Sequence, residues 1–344
     1  MNRTLPHCFT SVLFAAAALA GRADYKIETR FPVGGVGGYD YVNFEPATRR
    51  LFIAHMKKFE VLNADTGRKL GEIETGTGAH GTAFAHEFNH GFCTSGTTRT
   101  VTMFDLTTLK VLKLIRYMGE NPDAIEYDPG TKCIYVANVG TTGDITVIDA
   151  KTGHIKETVT IAPNGVLENM CFDDRGRAYL TEEKGDSIHV LDLKTYQEVA
   201  RWPVGPAVGP TKGAIDVKHR RLFTACGNNL LAVTDLDTGK VVATAAIGSR
   251  PDGVVYNGRT GEIFVSNRDG TLTVIKQESP DKYAVVQTLP TDAGCRTIAL
   301  DPESGKLYLP TAKFGPLPAP TREVPKPRLP VIPDTFEVVV IGKS

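Results

Sequence analysis

This sequence of 344 residues has no excess of positive or negative charge, no long apolar run outside its N-terminus and no paired-cysteine motif. Lys plus Arg and Asp plus Glu number 39 each, so no global field attracts nucleic acid or an anionic membrane surface. Beyond the first 20 residues no run of 18 apolar residues occurs, so no membrane span is predicted for the mature chain. The six cysteines show no CxxC spacing. Free thiols are therefore expected rather than a disulfide framework, a metal site or a redox site.

The N-terminus has the pattern of a secretory signal. Arg3 supplies a positive charge, residues 11–20 form a short apolar run, and Ala18-Leu19-Ala20 has the small-x-small form of a cleavage site. We expect residues 1–23 to be a signal peptide that is cleaved after Ala20 or Ala23. The mature protein is then periplasmic or secreted.

With 34 Gly and 21 Pro, the remaining chain predicts many turns, and it repeats. A strand-like segment recurs seven times at intervals of 40 to 44 residues, as in IYVAN (134–138) and LYLPT (307–311). Its second residue is aromatic every time, which predicts a column of rings that fills the wedges between neighbouring sheets. These aromatic residues are Phe52, Phe92, Tyr135, Tyr179, Phe223, Phe264 and Tyr308.

Each repeat contains four strand-like segments, and the third ends in an Asp-containing turn such as IDAKTG (148–153). This order predicts an all-β fold, a seven-bladed β-propeller of four-stranded antiparallel blades over residues 24–344. The last blade has no fourth segment after residues 336–341. Residues 25–34 resemble the fourth segment of another blade, 196–205, so we expect the N-terminal strand to close the ring. A Pro-rich insertion, residues 313–335, interrupts blade seven.

The IYVAN, LYLPT and IDAKTG segments resemble the YVTN-repeat family, and the exported single-propeller layout resembles YncE-like bacterial seven-bladed propellers. The resemblance implies a binding or surface role. Other propeller families fit less well, because WD40 repeats have Trp before the Asp that ends the third strand. A pyrroloquinoline quinone enzyme is disfavoured, since Val242 stands where such enzymes carry a docking Trp and Trp202 is the only Trp.

We expect two positions of every blade on one face of the propeller, around the mouth of the channel: the start of the first strand and the end of the second strand. Closed β structures commonly bind ligands at such a mouth. Asp123 and Asp252 follow Pro in turn-like segments that the repeat itself prefers, so a structural role is the favoured interpretation for them and ligand binding is the alternative. Charged residues that the repeat does not require are the best candidates for function, catalysis included: His80, Glu168, Glu182, Lys212 and Arg296. The full set of candidate ligand-binding residues is Asp40, His55, His80, Asp123, Asn138, Glu168, Glu182, Lys212, Asp252, Asn267 and Arg296.

Two functions follow from this face. The first is a binding or scaffold protein that recognises a small polar ligand, a glycan or an envelope protein. The alternative is a lactonase-like hydrolase or lyase in which a divalent metal activates water, with His80 or Lys212 as the base. Asp40, His55 and His80 are the candidate metal ligands. Nucleic acid is not an expected partner, and the Pro-rich insertion is either a lid, a docking arm or a plain loop.

Overall fold

The computed structural model describes residues 24–116, 119–322 and 325–344, and these form seven four-stranded antiparallel sheets. The predicted signal peptide, residues 1–23, lies outside the described residues. Six sheets are built from four consecutive strands, and the seventh combines the first strand of the chain with the last three. The innermost strands of neighbouring sheets contact one another in a closed ring around a central channel. The protein is therefore a seven-bladed β-propeller, as the repeat predicts.

The blades follow one another around the ring in chain order, and the first strand of each is innermost. The closing strand is β1 (Tyr25–Pro32). Blades one to three contain β2 (Tyr39–Glu45), β3 (Arg50–His55), β4 (Lys58–Asn63), β5 (Lys69–Glu74); β6 (Ala79–Ala85), β7 (His90–Ser95), β8 (Thr100–Asp105), β9 (Val111–Ile115); and β10 (Pro122–Asp128), β11 (Cys133–Asn138), β12 (Asp144–Asp149), β13 (Ile155–Thr160). Blades four and five contain β14 (Leu167–Phe172), β15 (Arg177–Glu182), β16 (Ser187–Asp192), β17 (Glu198–Pro203); and β18 (Pro210–Asp216), β19 (Arg221–Cys226), β20 (Leu230–Asp235), β21 (Val241–Ala246). Blades six and seven contain β22 (Pro251–Asn257), β23 (Glu262–Asn267), β24 (Thr271–Ser279), β25 (Lys282–Pro290); and β26 (Ala299–Leu300), β27 (Leu307–Thr311), β28 (Glu337–Lys343).

Helix is confined, among the described residues, to one 3₁₀ turn at His86–Phe88, between β6 and β7. No helix in this part of the chain is long and apolar enough to cross a membrane.

The turn between the third and fourth strands is fixed by its Asp side chain. Asp149 Oδ1 accepts hydrogen bonds from the backbone N–H of Thr152 at 2.8 Å and from its hydroxyl at 2.7 Å. Gly153 follows with φ +65°. The same turn in blades two and four has Leu109 and Tyr196 in the left-handed region, where glycine is favoured. The Asp and Thr side chains therefore hold the turn even where glycine is replaced.

The aromatic column lies between the blades, as expected, and all seven of its side chains are buried. In four wedges an aromatic residue from the first strand of one blade packs against the column residue of the preceding blade, with ring centroids 4.9 to 6.0 Å apart. Such contacts add to the stabilisation from apolar burial. These pairs are Phe44 with Tyr308, Phe84 with Phe52, Phe172 with Tyr135, and Tyr256 with Phe223.

The closing strand β1 is the outermost strand of blade seven and pairs antiparallel with β28. Its Tyr25 hydroxyl donates to Glu262 of blade six at 2.8 Å, and its ring packs edge-on against Phe264. Lys343 at the end of β28 forms an ion pair with Glu262 at 3.1 Å. The N-terminal strand thus completes blade seven and also attaches it to blade six.

The Pro-rich insertion leaves blade seven after β27, on the face where the first strands begin. Its two ends pair with each other through Phe314 and Val331. Asp334 connects the insertion to the loop before β2, because its carboxylate accepts a hydrogen bond from the Gly35 N–H at 3.0 Å. Five cysteines of the described chain are free thiols, and four of them are buried.

Candidate functional site

A shift of register near the start of the first strands decides which side chains reach the channel mouth. In β10, Pro122 pairs with Asn138 but Ile125 pairs with Val136, so one extra residue is inserted between them. The first strands of blades one to six all show such a shift. A β-bulge bends the strand and redirects its side chains. The side chains at the six bulges and Arg296 of blade seven form a network of seven side chains, named the mouth ring from here on: Asp40, His80, Asp123, Glu168, Lys212, Asp252 and Arg296.

Asp40 connects three blades. Its Oδ2 lies 2.6 Å from His80 Nδ1 of blade two, and its Oδ1 accepts a hydrogen bond from Arg296 of blade seven. Burial raises the pKa of Asp40, but Arg296 and His80 outweigh it and lower this pKa to about 2. Burial lowers the pKa of His80, while Asp40 and Asp123 raise it above its ordinary value. His80 and Asp40 therefore form a pair that favours the charged forms of both groups.

Arg296 also faces a second carboxylate, Asp252 of blade six, whose Oδ2 lies 3.7 Å from Arg296 Nε. The same oxygen accepts a hydrogen bond at 2.6 Å from Arg268, a residue that the sequence did not single out. Desolvation lowers the pKa of Arg296, but Asp40 and Asp252 raise it above its ordinary value. The guanidinium group thus stays charged between two carboxylates.

Lys212 reaches across the channel. Its ammonium group donates to the Tyr41 hydroxyl of blade one, to the Glu168 carbonyl oxygen at 2.9 Å and to Glu168 Oε2 at 3.1 Å. It also lies 4.7 Å from the centre of the Tyr41 ring. Burial lowers the pKa of Lys212, but Tyr41, Glu168 and the nearby aspartates raise it well above its ordinary value. Lys212 is consequently a protonated hydrogen-bond donor at neutral pH, which disfavours the predicted role as a base.

The residues at the ends of the second strands do not join this network. His55 is buried, with Nδ1 3.3 Å from Glu60 Oε1 and its ring 4.6 Å from that of Phe336. Three other candidates lie at the ends of second strands: Asn138, Glu182 and Asn267. Their side chains form hydrogen bonds within their own blades, where they cap the hairpin between the second and third strands. Asn138 donates to Asp144 and Thr146, Asn267 donates to Thr271 and Thr273, and Glu182 accepts from Ser187.

The predicted metal ligands are therefore separated. Asp40 and His80 are in contact, while His55 is engaged with Glu60 and Phe336. Within residues 24–116, 119–322 and 325–344, no group of three or more His, Cys, Asp or Glu side chains is arranged to hold a metal ion. In that part of the chain, the metal-assisted hydrolase or lyase therefore has no set of metal ligands to support it.

The channel widens below the mouth ring. A cavity of about 390 Å³ is lined by Tyr41, Lys212 and Asp252 near the mouth and by Asn43, Glu126 and Cys171 deeper inside. A second cavity of about 410 Å³ shares Asn43 with it and continues toward the other end of the channel. Pockets of this size hold small molecules.

Glu126 is the functional candidate that the sequence interpretation missed. The backbone of each first strand pairs with the column aromatic of its own blade at one position, and these residues are Asn43, Ala83, Glu126, Cys171, Ala214, Val255 and Ala299. Glu126 is the only charged residue of this set. Its side chain is exposed to the space inside the channel, and desolvation by the surrounding channel walls raises its pKa to about 7. A comparison of this position across the seven repeats would have identified it.

Comparison with known proteins supports the fold and shows a partial similarity to one curated protein. No protein-family model matches the chain. A 195-residue region is 27% identical to the uncharacterized protein YncE of Salmonella typhi and covers 55% of this chain and 53% of that protein. The chain thus matches about half the length of this curated relative.

Solved structures are similar over most of the chain. They include the structure of U3-55K, with a TM-score of 0.74, 10% identity and coverage of 93% of this chain and 99% of that one. The RRP9 WD40 repeats match with a TM-score of 0.75, 10% identity and coverage of 94% and 99%. Kuenenia stuttgartiensis hydrazine synthase matches with a TM-score of 0.69, 15% identity and coverage of 82% and 94%. At these identities the similarity shows the propeller fold alone. Taken with the seven four-stranded blades, the match to YncE confirms the resemblance found in the repeats, and the chain is a seven-bladed β-propeller that is similar to YncE over about half of its length.

Proposed function

We propose that this protein is an exported binding protein that holds a small polar ligand at the mouth of the propeller channel. The observation that carries the proposal is the mouth ring, in which carboxylates and cations from different blades meet above an open cavity. A ligand with both hydrogen-bond donors and acceptors can satisfy such a ring at several points. The secretory pattern of residues 1–20 supports export.

Two atoms of the ring support ligand binding directly. Asp123 Oδ1 and Arg296 Nε are buried and have no hydrogen-bond partner in the protein. A buried polar atom without a partner costs free energy, and a ligand or water that pairs with it recovers that cost. The first atom is an acceptor and the second a donor. Together they favour a ligand that presents a donor and an acceptor at separate positions.

The backbone under the ring is held in place between blades, which reduces the ordering cost of binding. The Thr94 hydroxyl of blade two donates to the Asp123 carbonyl of blade three at 2.7 Å. The Ser266 hydroxyl of blade six donates to the Arg296 carbonyl of blade seven at 2.6 Å. Thr297 of blade seven closes the series by donating to the Asp40 carbonyl of blade one at 2.8 Å.

A small ligand is favoured over a large partner because the charged groups are recessed. The side chains of Asp40, His80 and Arg296 are only 16% to 20% exposed. A protein surface reaches such groups poorly, whereas an amino acid or the end of a glycan reaches them easily.

The test is a binding survey with the protein that begins at residue 24. Zwitterionic amino acids and neutral mono- and disaccharides are added at millimolar concentrations, and binding is measured by thermal shift and calorimetry. We expect one of these classes to bind, and Arg296→Gln to weaken that binding about ten-fold or more, because hydrogen bonds to charged groups contribute about 1.5–3 kcal/mol.

Arg175→Gln is the matched control, since Arg175 lies in the hairpin between β14 and β15, is 60% exposed and is paired only with Asp237. It should bind as the wild type does. Absence of binding by every class overturns the proposal. Equal binding by the wild type and Arg296→Gln overturns it as well.

A further inference from the structure

Glu126 differs from every other carboxylate of the channel. Each mouth-ring carboxylate has a cationic side chain nearby: Asp40 and Asp123 face His80 at 2.6 and 3.8 Å, Glu168 faces Lys212 at 3.1 Å, and Asp252 faces Arg268 at 2.6 Å. Glu126 has no hydrogen bond or ion pair with any residue of the described chain.

The blades next to Glu126 provide no positive charge at its level, and the Lys212 ammonium group that lines the same cavity is already paired with Tyr41 and Glu168. At the equivalent position, the neighbouring blades carry Ala83 on one side and Cys171 on the other. Burial raises the pKa of the Cys171 thiol to about 12, so this group is neutral at physiological pH. An ionised carboxylate that the channel walls partly desolvate, and that has no ion pair, carries a free-energy cost. A ligand that carries a positive charge into the channel would remove this cost.

The other unpaired polar atoms of the cavity are also compatible with a donor. Asn43 Oδ1 lies in the cavity wall, is buried and has no partner, and Asp123 Oδ1 of the mouth ring is likewise buried without a partner. An ammonium group is a triple donor without acceptors. The cavity of about 390 Å³ leaves room for a short carbon chain between the mouth ring and Glu126.

From this arrangement we infer that the ligand is an organic ammonium compound, whose cationic group enters the channel and pairs with the carboxylate of Glu126. The inference rests on the proposed function and adds the class of ligand. The mouth ring then contacts the remaining polar part of the ligand. A cation is selected over a neutral molecule of the same shape, because only the cation compensates the isolated carboxylate.

Binding of a cation requires the ionised form of Glu126. Burial raises the pKa of Glu126 to about 7, so this form is lost as the pH falls below neutrality. Between pH 8 and pH 5.5 the ionised fraction decreases roughly 30-fold, and the affinity decreases with it. The titratable groups that line the same cavity as Glu126 are Tyr41, Cys171, Lys212 and Asp252. Those nearby on the first strands of its own and the adjacent blades are His80 on β6, Asp123 and Tyr127 on β10, and Glu168 on β14. Among these groups, His80 has an ordinary pKa near neutrality, so its titration also changes binding in this pH range. A variant of Glu126 is needed to separate the pH dependence due to Glu126 from that due to His80.

The probes are n-butylammonium, its neutral match n-butanol and its anionic match n-butyrate. Calorimetry with the protein from residue 24 onward should show butylammonium binding at pH 8, roughly 30-fold weaker binding at pH 5.5, and no binding of the other two. In Glu126→Gln, butylammonium binding at pH 8 should fall at least ten-fold, and the remaining pH dependence reports His80. Glu157→Gln is the control, since Glu157 is an exposed residue on the outer strand of the same blade and should bind as the wild type does.

A second readout establishes that the variant is folded. Glu126→Gln removes an unpaired charge, so its melting temperature should exceed that of the wild type more at pH 8 than at pH 5.5. Binding of butyrate in preference to butylammonium, or equal butylammonium binding by the wild type and Glu126→Gln, overturns the inference. If amino acids or sugars still lose affinity in Arg296→Gln, the proposed function survives that result. If neither variant changes any binding, both proposals fail.

Discussion

Replacing Asp40 by Asn removes one charge from the mouth ring with little change in shape. The Asp40 carboxylate holds His80 of blade two and Arg296 of blade seven against blade one. The folded pKa of this carboxyl group is about 2, against an ordinary value of 3.8. We therefore expect Asp40→Asn to lower the free energy of unfolding at pH 7.

The size of the effect follows from the pKa. Each pKa unit corresponds to about 1.36 kcal/mol, so the preference of the folded state for ionised Asp40 is worth about 2 kcal/mol. The Asp40 side chain is 16% exposed, so solvent screens this interaction only partly. Because the pKa is lowered on folding, this stabilisation is complete above the unfolded pKa and is lost as the pH falls through 2. About half of it remains at pH 3.

The assay is equilibrium unfolding of the wild type and Asp40→Asn in urea, which adds no salt that would screen the ion pairs. The difference in unfolding free energy should be about 2 kcal/mol at pH 7 and about half of that at pH 3. Asp174→Asn is the control, because Asp174 is 67% exposed and lies 4.0 Å from its nearest cation, and its effect should stay within about 0.5 kcal/mol. An Asp40→Asn difference that is the same at both pH values would refute the reasoning, since the loss would then arise from packing rather than charge.

Three further predictions concern the fold. Phe223→Ala should lower the free energy of unfolding, measured in urea, by about 3–5 kcal/mol, because the buried ring packs against Tyr256 at 5.0 Å and Tyr283 at 5.8 Å. A loss below about 1 kcal/mol would contradict the packing of the aromatic column. Deleting residues 24–32 should expose the edge of β28 and cause association that increases with concentration in light scattering, whereas a stable monomer would show that closure is dispensable. Burial raises the pKa of the Cys226 thiol to about 12 and that of the Cys295 thiol to about 11. Both thiols should therefore react with a thiol reagent only after unfolding in urea, and rapid reaction in the native protein would be inconsistent with the structure.

The fold was predictable because its repeat has a physical cause. Each blade must fill the wedge between itself and the next blade, and one buried aromatic position per blade does so. That requirement leaves a regular signal in the sequence, with Phe52 and Tyr308 as its first and last members. The closing strand was predictable for a related reason, since residues 25–34 had to resemble a fourth strand in order to pair as one.

The candidate site was predictable only in part. The position of a residue at the start of a first strand was enough to predict that it lies at the mouth. The physical reason is a bulge that recurs there and turns these side chains toward the mouth. Position alone does not give the direction of a side chain at the end of the second strand. Asn138 and Glu182 occupy that position, yet they hydrogen-bond inside their own blades. The contact between Lys212 and Tyr41, which are 171 residues apart in the chain, depends on the diameter of the closed ring and leaves no local sequence signal.

Ring closure and the mouth ring depend on each other. Asp40 and Arg296 belong to the first and last blades, so their contact crosses the border where the closing strand completes the propeller. Thr297 adds a hydrogen bond to the Asp40 carbonyl across the same border. A ligand bound to the mouth ring therefore stabilises the border as well as the site, because a ligand that binds only the closed state adds its binding free energy to stability. Ligand-induced thermal stabilisation is accordingly a sensitive way to search for ligands of this protein, and Arg296→Gln should reduce both the stabilisation and the affinity.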